Sequence, residues 1–328
     1  MRINRRGFLN SAAAAAGASV LPATARLALA ETYPSRPVHF IVPQAAASSS
    51  DITARLIGDW FSVHLGQSFV VDDKPGAGGN VGTEIVVRAA PDGYTLLLVN
   101  SQNAISPALY PDLTFNFVRD IAPIGQVNLV PLVMEVNPSV PAKTVPEFIA
   151  YAKANPGKIN MASAGIGGPQ HLAGELFKSM TGLNLVHVPY RGSTPAITDL
   201  LAGQVQLMFD VTPTALPQIR AGKTRALAVT TKQRLDALPD VPSMSDFLPG
   251  YEAEAWIGVG APTGTPADII DILNKQLNAA LADAKIKARL TDIGSVVHGG
   301  TPAEFGKFIV SETAKWGKVI RDAGIKPD

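Results

Sequence analysis

The sequence predicts an α/β fold with a largely parallel sheet, arranged as two domains. Strand-like and helix-like spacings of apolar residues alternate along the chain, capping residues mark several helix starts, and 328 residues are enough for two cores. Breaks in the pattern near residues 133–140 and 250–262 indicate a segment inserted into a composite first domain. We therefore predict domain 1 from residues 31–134 and 256–328 and domain 2 from residues 135–255, with two linkers suited to hinge closure.

Strands and helices follow one another closely in the first domain. The apolar run Val38–Val42 predicts a strand, and residues 43–50 form the loop after it. Apolar side chains at helical spacing predict a helix over residues 51–65. The next predicted elements are a strand at 69–71, a glycine-rich turn at 74–79, a helix at 83–90 and a buried strand at 94–99.

Threonine marks the later helix starts. Residues 144–147 have capping-box spacing, and that helix should end before Pro156. At Thr194-Pro195 the proline stands at the first position of another helix. Thr265-Pro266 and Thr301-Pro302 open two long helices, which should reach about residues 282 and 323.

Charge and the N-terminus indicate an exported protein that does not bind nucleic acid. The first thirty residues hold four of the 28 basic residues, all arginines, and no acid. Without them the chain has 24 basic and 27 acidic residues, a net charge of −3. Arg5-Arg6 before Phe8-Leu9 and the sequence Ala28-Leu29-Ala30 predict a twin-arginine signal peptide over residues 1–30, rather than an unprocessed hydrophobic helix. We expect a periplasmic protein, monomeric and soluble after cleavage.

The chain has no cysteine, which excludes disulfides, thiolate metal sites, cysteine nucleophiles and a lipid anchor on cysteine. No histidine has a second histidine at metal-ligand helical spacing, so we predict no metal and no cofactor. Ser163 lacks the flanking glycines of a nucleophile elbow, and we expect no catalytic residues. Residues 76–82 look like a dinucleotide fingerprint, but the third glycine comes one place late, which favours a closely packed turn.

The segment from Ala162 to Asp210 carries the strongest indication of function. It sends at least two loops into helix N-termini, where unpaired N–H groups and partial positive charge favour an anion such as a carboxylate. The first of these loops, residues 163–169, leads into a helix at Gln170-His171. Both side chains are candidate ligand donors, with capping or surface roles as the alternative.

Tyr190 follows a strand within the same segment, and it could contact a ligand or fill the core. Asp210 ends another strand, where a carboxylate is unusual for an anion site. It could orient a neighbour, bind a ligand ammonium, or cap the following turn.

The loop after the first strand is the second candidate, because open α/β sheets bind ligands at this position. It reads Gln44-Ala45-Ala46-Ala47-Ser48-Ser49-Ser50-Asp51. Its serine hydroxyls would face the crevice, and Asp51 would cap the helix or contact the ligand. Residues 100–102, Asn-Ser-Gln, follow another buried strand and could bring Ser101 to the same crevice; a solvated loop is the alternative for all of them.

Several segments together resemble one family, the Bug-type receptors of tripartite tricarboxylate transporters. They span essentially the whole chain after residue 30, in the family's order. They are Pro75–Gly82, Ala90–Leu97, Pro107–Tyr110, Gln170–Phe177, His187–Gly192, Asp199–Val205 and Ala261–Pro266.

The resemblance implies a two-domain periplasmic-binding-protein fold of type II-like form, with a ligand cleft between the domains. It implies a receptor that closes on a small carboxylate and delivers it to membrane permease subunits. The family's ligand loops fall on Ala45–Asp51, which includes Ala46, Ala47, Ser48, Ser49 and Ser50, and on Ser163–Gln170, which includes Ala164 and Gly167.

One departure from the family concerns the first loop, which is usually rich in glycine before Thr-Asp. Alanine methyls and serine hydroxyls replace those glycines here. We therefore hypothesise a ligand with an apolar body and carboxylate ends, such as an aromatic or aliphatic dicarboxylate. Two rival functions are a ligand sensor for a membrane signalling protein and a periplasmic carboxylate-ester hydrolase, which would need a nucleophile beside a base.

Overall fold

A computed structural model describes residues 33–46 and 48–327. Ala47 and the predicted signal peptide lie outside the described residues. Within these limits ten strands belong to one sheet system, in which eight follow the order β2-β1-β3-β9-β4-β7-β5-β6, while β8 and β10 both pair with β4. The strands are β1 (Val38–Val42), β2 (Phe69–Asp73), β3 (Thr95–Asn100), β4 (Ile121–Val136), β5 (Asn160–Ser163), β6 (Val186–Pro189), β7 (Leu207–Val211), β8 (Arg225–Val229), β9 (Glu254–Pro262) and β10 (Val296–Val297).

Eleven α-helices cover this sheet in the described part of the chain. They are α1 (Ser49–Leu65), α2 (Asn80–Val87), α3 (Ser101–Leu109), α4 (Phe117–Asp120), α5 (Val145–Ala154), α6 (Pro169–Thr181), α7 (Ser193–Leu201), α8 (Thr212–Arg220), α9 (Ala267–Ala282), α10 (Ala284–Asp292) and α11 (Pro302–Ala323). The predicted strands and helices before residue 100 are all present, with ends shifted by a few residues.

The sheet is parallel at its two ends and antiparallel at its centre. β1 pairs in parallel with β2 and β3, and β5 pairs in parallel with β6 and β7. By contrast, β9 runs antiparallel to both β3 and β4, and β4 runs antiparallel to β7. The expectation of a largely parallel sheet is therefore wrong for the centre, because the chain returns through β9 from the opposite direction.

β4 is shared by both halves of the sheet. Its residues 121–131 pair with β9, and its residues 132–136 pair with β7. The apolar side chains of β1 and β3 pack against α1 and α9 on one side of this strand, and those of β5 and β7 pack against α6 on the other. The strand therefore holds two groups of parallel strands with their following helices in one sheet.

Two helices cross from the first group into the second core. Ile105 and Leu109 of α3 and Trp316 and Ile320 of α11 are buried with the core that surrounds α6. The two halves consequently share packed side chains as well as a strand.

The helix starts agree with the capping argument in two of the four places. Thr301 forms a full capping box with Glu304. Thr144 accepts from the Glu147 amide, although the Glu147 carboxylate turns back to the Lys143 amide. α9 begins directly after Pro266, which is its N-cap, and the Thr265 hydroxyl donates to the Pro262 carbonyl instead of capping the helix. α7 is the second exception, because it begins at Ser193, so Pro195 is its third residue and not its first.

Candidate functional site

A cavity of about 640 Å³ opens between the two halves of the sheet. Strands end and helices begin around it, so that the first residues of α1, α3, α6, α7 and α8 all line its walls. We call the side formed by α1, α2 and α3 the first wall, and the side formed by α6, α7 and α8 the second wall. This arrangement follows from the topology, because each of these helices except α2 comes directly or after a short loop from a strand end.

Serines and an asparagine build the first wall. Ser48, and not Asp51, is the N-cap of α1, because its hydroxyl accepts from the Asp51 amide at 3.2 Å. Ser49 and Ser50 follow it on the cavity. Asn100 caps α3 by accepting from the Gln102 amide at 3.0 Å, and its own side-chain amide donates to Gln44.

The glycine-rich turn before α2 completes the first wall. Gly76, Gly78 and Gly79 line the cavity. Gly79 has φ +89°, and a Cβ there would lie 3.2 Å from the Pro43 carbonyl, while a Cβ at Gly82 would lie 2.8 Å from the Lys74 carbonyl. The turn is therefore closely packed, as predicted, and it also lies on the cavity, which was not predicted.

The second wall leaves its helix ends open. No side chain caps α6, α7 or α8 among the described residues, where the N-cap positions are Gly168, Gly192 and Val211. Gln170, Ser193 and Thr214 line the cavity from the first turns of these helices. Unpaired N–H groups at such ends attract negative charge.

The floor between the walls is apolar. Val130, Ala255, Trp256, Ile257 and Ile293 lie along it. A hydrogen bond fixes the Trp256 ring in place, since its indole N–H donates to the buried Glu312 at 3.2 Å. None of the described residues that line the cavity is charged. An anion would therefore meet neutral donors and helix ends rather than a cationic side chain.

Six of the predicted site residues line the cavity. They are Ser48, Ser49, Ser50, Ser101, Ala164 and Gln170. Ala46 is exposed beside them, and Ala47 lies outside the described residues. The structure places the other six, Asp51, Ser163, Gly167, His171, Tyr190 and Asp210, behind or beside the lining.

Asp51 is buried in the first turn of α1 and forms an ion pair with Arg55 at 2.7 Å. Tyr190 is half-buried, and its hydroxyl donates to Asp199 at 2.6 Å. Burial, with Asp199 beside it, raises the pKa of Tyr190 to about 12, so the hydroxyl stays protonated. Both side chains stabilise the elements that carry the walls.

A buried polar network supports the loop between β5 and α6. The Ser163 hydroxyl lies 2.6 Å from His187 Nε2, and the His187 ring stacks on the His171 ring with centroids 3.6 Å apart. His171 Nδ1 accepts from the Gly167 amide at 3.0 Å, and its Nε2 faces Glu175. Burial, with His171 nearby, lowers the pKa of His187 to about 4, which keeps its ring neutral.

The pair of Ser163 and His187 is the arrangement that the hydrolase hypothesis requires. Its serine is fully buried and does not line the cavity. Its hydroxyl also contacts Gly165, whose amide and carbonyl lie at 3.2 and 3.1 Å. A substrate in the cavity would therefore not reach the Ser163–His187 pair. The pair instead anchors the loop that carries Ala164.

Asp210 is fully buried directly behind the second wall. Its carboxylate accepts from Thr214 and, at 2.9 Å, from the Val211 amide. Burial raises the pKa of Asp210 to about 6, and the hydrogen bonds from Thr214 and the Val211 amide limit that rise. Thr214 lines the cavity, so the carboxylate holds that part of the wall in place.

Sequence reasoning missed several lining residues. Gln44, the glycines of the turn, Ser193, Thr214 and Trp256 were not among the predicted site residues. Ser193 and Thr214 follow strands at helix starts, so the rule that selected Gln170 would also have selected them. Trp256 had no such signal, because its place on the floor depends on the pairing of β9 with β4.

Residues 33–46 and 48–327, which the structure describes, contain neither a metal-binding cluster nor a membrane-spanning helix. In that part of the chain no three histidine, aspartate or glutamate side chains lie close enough to hold a metal ion together. Nor does any helix of that part combine the length and apolar character that crossing a membrane requires.

Comparison with known proteins identifies relatives along the whole described chain. Residues 53–325 match the family model described as tripartite tricarboxylate transporter family receptor. The protein BugT of Bordetella pertussis is 37% identical over 300 residues, which cover 90% of this chain and 92% of BugT.

Two similar structures were solved with small acids. A protein of R. palustris with adipate is 36% identical and superposes with a TM-score of 0.81. The match covers 90% of this chain and 100% of the R. palustris protein. MatC from Rhodopseudomonas palustris with bound malate is 31% identical and superposes with a TM-score of 0.77. The match covers 88% of this chain and 100% of MatC. These matches confirm the predicted two-domain periplasmic-binding-protein fold.

Proposed function

Because the chain belongs to the tripartite tricarboxylate transporter receptor family, and is thus a solute-binding receptor and not an enzyme, we propose that it binds a small dicarboxylate with an apolar body. The ligand would lie in the cavity between the two walls. One carboxylate would face the helix ends of the first wall, and the other would face the second wall.

The convergence of helix N-termini on an uncharged cavity carries this proposal. Six helices, α1, α2, α3, α6, α7 and α8, begin at the lining, while no described lining side chain is charged. Each helix end contributes partial positive charge and N–H donors, worth up to about 1–2 kcal/mol in partly buried geometries. Together these ends can hold a carboxylate without a cationic side chain to desolvate.

The apolar floor supports the second part of the proposal. Val130, Ile257 and Ile293 leave no polar partner for the middle of the ligand, so a chain or ring of carbons fits there. The volume also suits a small molecule, since ligand pockets usually measure about 300–1,000 Å³. The acids named with the two similar structures, adipate and malate, are both diacids.

Delivery of the ligand to a membrane permease is part of the same proposal. The receptor would close by rotation of domain 2, residues 135–255, against domain 1, residues 31–134 and 256–328, in the hinge manner of such proteins. It would act as a monomer in the periplasm after export directed by residues 1–30. The family membership supports this role.

A ligand screen with matched variants tests the proposal. Thermal shift and titration calorimetry with aliphatic and aromatic diacids should identify at least one stabilising ligand. Stabilisation by citrate but by no diacid would contradict the proposed ligand class.

Ser49→Ala and Gln170→Ala should each weaken binding by roughly 1–3 kcal/mol, because each removes a polar partner from a buried carboxylate. Ser311→Ala and Gln204→Ala, at exposed positions away from the cavity, serve as controls and should bind normally. Unchanged affinity in both lining variants would place the ligand elsewhere.

A further inference from the structure

Gln44 and Asn100 meet at the cavity because they follow neighbouring strands. Gln44 comes two residues after β1, and Asn100 is the last residue of β3. The two strands pair in parallel, so their carboxyl ends lie at the same edge of the sheet. Both residues line the first wall, where Asn100 is 6% exposed and its Nδ2 donates to Gln44 Oε1. A buried side-chain amide thus holds a second amide on the cavity.

The start of α3 fixes which way the Asn100 side chain points. Its Oδ1 accepts from the Gln102 amide at 3.0 Å, and a backbone N–H can only donate. The Asn100 backbone N–H donates in turn to Asn103 Oδ1 at 2.9 Å, which completes the capping box. The Asn100 Nδ2 hydrogens are therefore left for Gln44 and for Ser50, whose Oγ lies 3.5 Å away.

The orientation of Gln44 follows from that of Asn100. A side-chain NH₂ group donates two hydrogens and accepts none, so Gln44 must turn its carbonyl oxygen towards Asn100. Its Nε2 lies beside Gly79, where a Cβ would lie 3.3 Å from that nitrogen, and Gly79 also lines the cavity. Within the described residues neither hydrogen of this Nε2 has an acceptor, so both are available to a ligand.

A donor in this position suits a carboxylate. An ionised carboxylate only accepts hydrogen bonds, and charge-assisted bonds are about twice as strong as neutral ones. A ligand carboxamide carries two hydrogens of its own, which would face the Gln44 hydrogens without an acceptor. Because no described lining side chain is charged, neutral donors of this kind must distinguish the two ligand groups.

We propose that Asn100 is a positioning residue that fixes Gln44 as a hydrogen-bond donor, and that Gln44 thereby selects an ionised carboxylate over a carboxamide at the first wall. This inference rests on the proposed function and narrows it, because it names the side chain that contacts one carboxylate of the ligand. The selected ligand is a diacid rather than its monoamide.

The test measures the affinity of each diacid relative to its monoamide by titration calorimetry at pH 7.5. The pairs are succinate with succinamate and adipate with adipamate, and the wild-type ratio is the reference. Gln44→Met keeps a side chain of similar length and leaves the α3 cap intact, but it has no hydrogen to donate. It should weaken diacid binding at least about 10-fold, as expected for one hydrogen bond to a charged group.

Asn100→Asp should reverse the orientation of Gln44. The new carboxylate can still cap α3 with one oxygen, but its other oxygen accepts, so Gln44 turns Nε2 towards it and its own oxygen towards the cavity. A monoamide can donate to this oxygen, and a carboxylate cannot. The ratio of diacid affinity to monoamide affinity should fall at least about 10-fold below the wild-type value.

Two controls separate this effect from the added charge. In the Gln44→Met background, Asn100→Asp adds the same charge but has no amide to turn, so its effect on the ratio should be at least about 10-fold smaller. Asn116→Asp makes the same substitution at the exposed N-cap of α4, away from the lining, and should keep the wild-type ratio. Circular dichroism checks that each variant folds.

Three results would overturn the proposal. One is an equal fall of the ratio with and without Gln44, which would assign the whole effect to the charge. Another is unchanged diacid affinity in Gln44→Met with the dicarboxylate function intact, a result that does not depend on the folding of Asn100→Asp. If no diacid in these pairs or in the wider screen binds, the proposed function fails, and this inference fails with it.

Discussion

Replacement of Gly167 by alanine should damage both stability and ligand binding, and Gly182 provides a matched control. Both glycines have left-handed backbones, with φ of +69° and +68°. A Cβ at Gly167 would lie 2.3 Å from Leu109 Cδ2, whereas a Cβ at Gly182 would meet nothing within 4 Å. The two substitutions thus share a backbone cost and differ in one contact.

The magnitudes follow from these two terms. An alanine in the left-handed region costs roughly 1–2 kcal/mol, and this applies to both variants. Gly167→Ala must also displace Leu109, which is 2% exposed in the core, and overpacking of this kind costs about 1–3 kcal/mol more. We expect a loss of unfolding free energy of roughly 2–5 kcal/mol for Gly167→Ala and about 1–2 kcal/mol for Gly182→Ala.

Binding should separate the two variants further. The Gly167 amide donates to His171 Nδ1 at 3.0 Å, and Ala164 and Gln170 of the same loop line the cavity. A displaced loop should lower affinity for the identified ligand by at least about 10-fold, or 1.4 kcal/mol. Urea unfolding and calorimetry measure the two effects. If Gly167→Ala matched Gly182→Ala in stability and bound normally, the contact with Leu109 would not position the loop.

Two further variants test buried polar groups. His171→Phe keeps an aromatic ring against His187 but cannot accept a hydrogen bond from the Gly167 amide. This variant should bind the ligand more weakly by roughly 1–3 kcal/mol, with an unchanged circular dichroism spectrum. Normal affinity would show that the loop needs no such acceptor. Glu135→Gln should be more stable than the wild type at alkaline pH. The folded-state pKa of Glu135 is raised by burial from 4.5 to about 8, so its stabilising contribution is present at low pH and is lost as the pH rises towards 8. At about 1.4 kcal/mol per pKa unit, the wild type should lose several kcal/mol relative to Glu135→Gln between pH 5 and pH 9 in urea unfolding, and parallel pH profiles would contradict this.

The local elements could be predicted from the sequence because their causes are local. The apolar periodicity of residues 38–42 and 51–65 marks β1 and α1, and Thr301 with Glu304 marks the start of α11. The direction of β9 could not be predicted in this way. Its residues have the apolar character of any buried strand, and only the register with β3 and β4 makes it antiparallel.

For the candidate site, too, the residues with a local sequence signal could be predicted and the others could not. Loops that follow strands and begin helices identified Ser48–Ser50, Ser101 and Gln170 as lining residues. Residues that meet across the fold had no such sign. Ser163 contacts His187, which is 24 residues away, and Gln170 donates to Ser193, which is 23 residues away. The alternatives considered for Asp210 did include orientation of a neighbour, and in the structure this neighbour is Thr214.

The crossing of α3 and α11 into the second core has a consequence for folding. Ile105, Leu109, Trp316 and Ile320 fill the core around α6, although they come from segments distant in sequence. That core is incomplete until the last helix of the chain has docked, so neither half has a full set of apolar contacts alone. Denaturation should therefore follow one cooperative transition for both halves, with ligand shifting its midpoint as a whole.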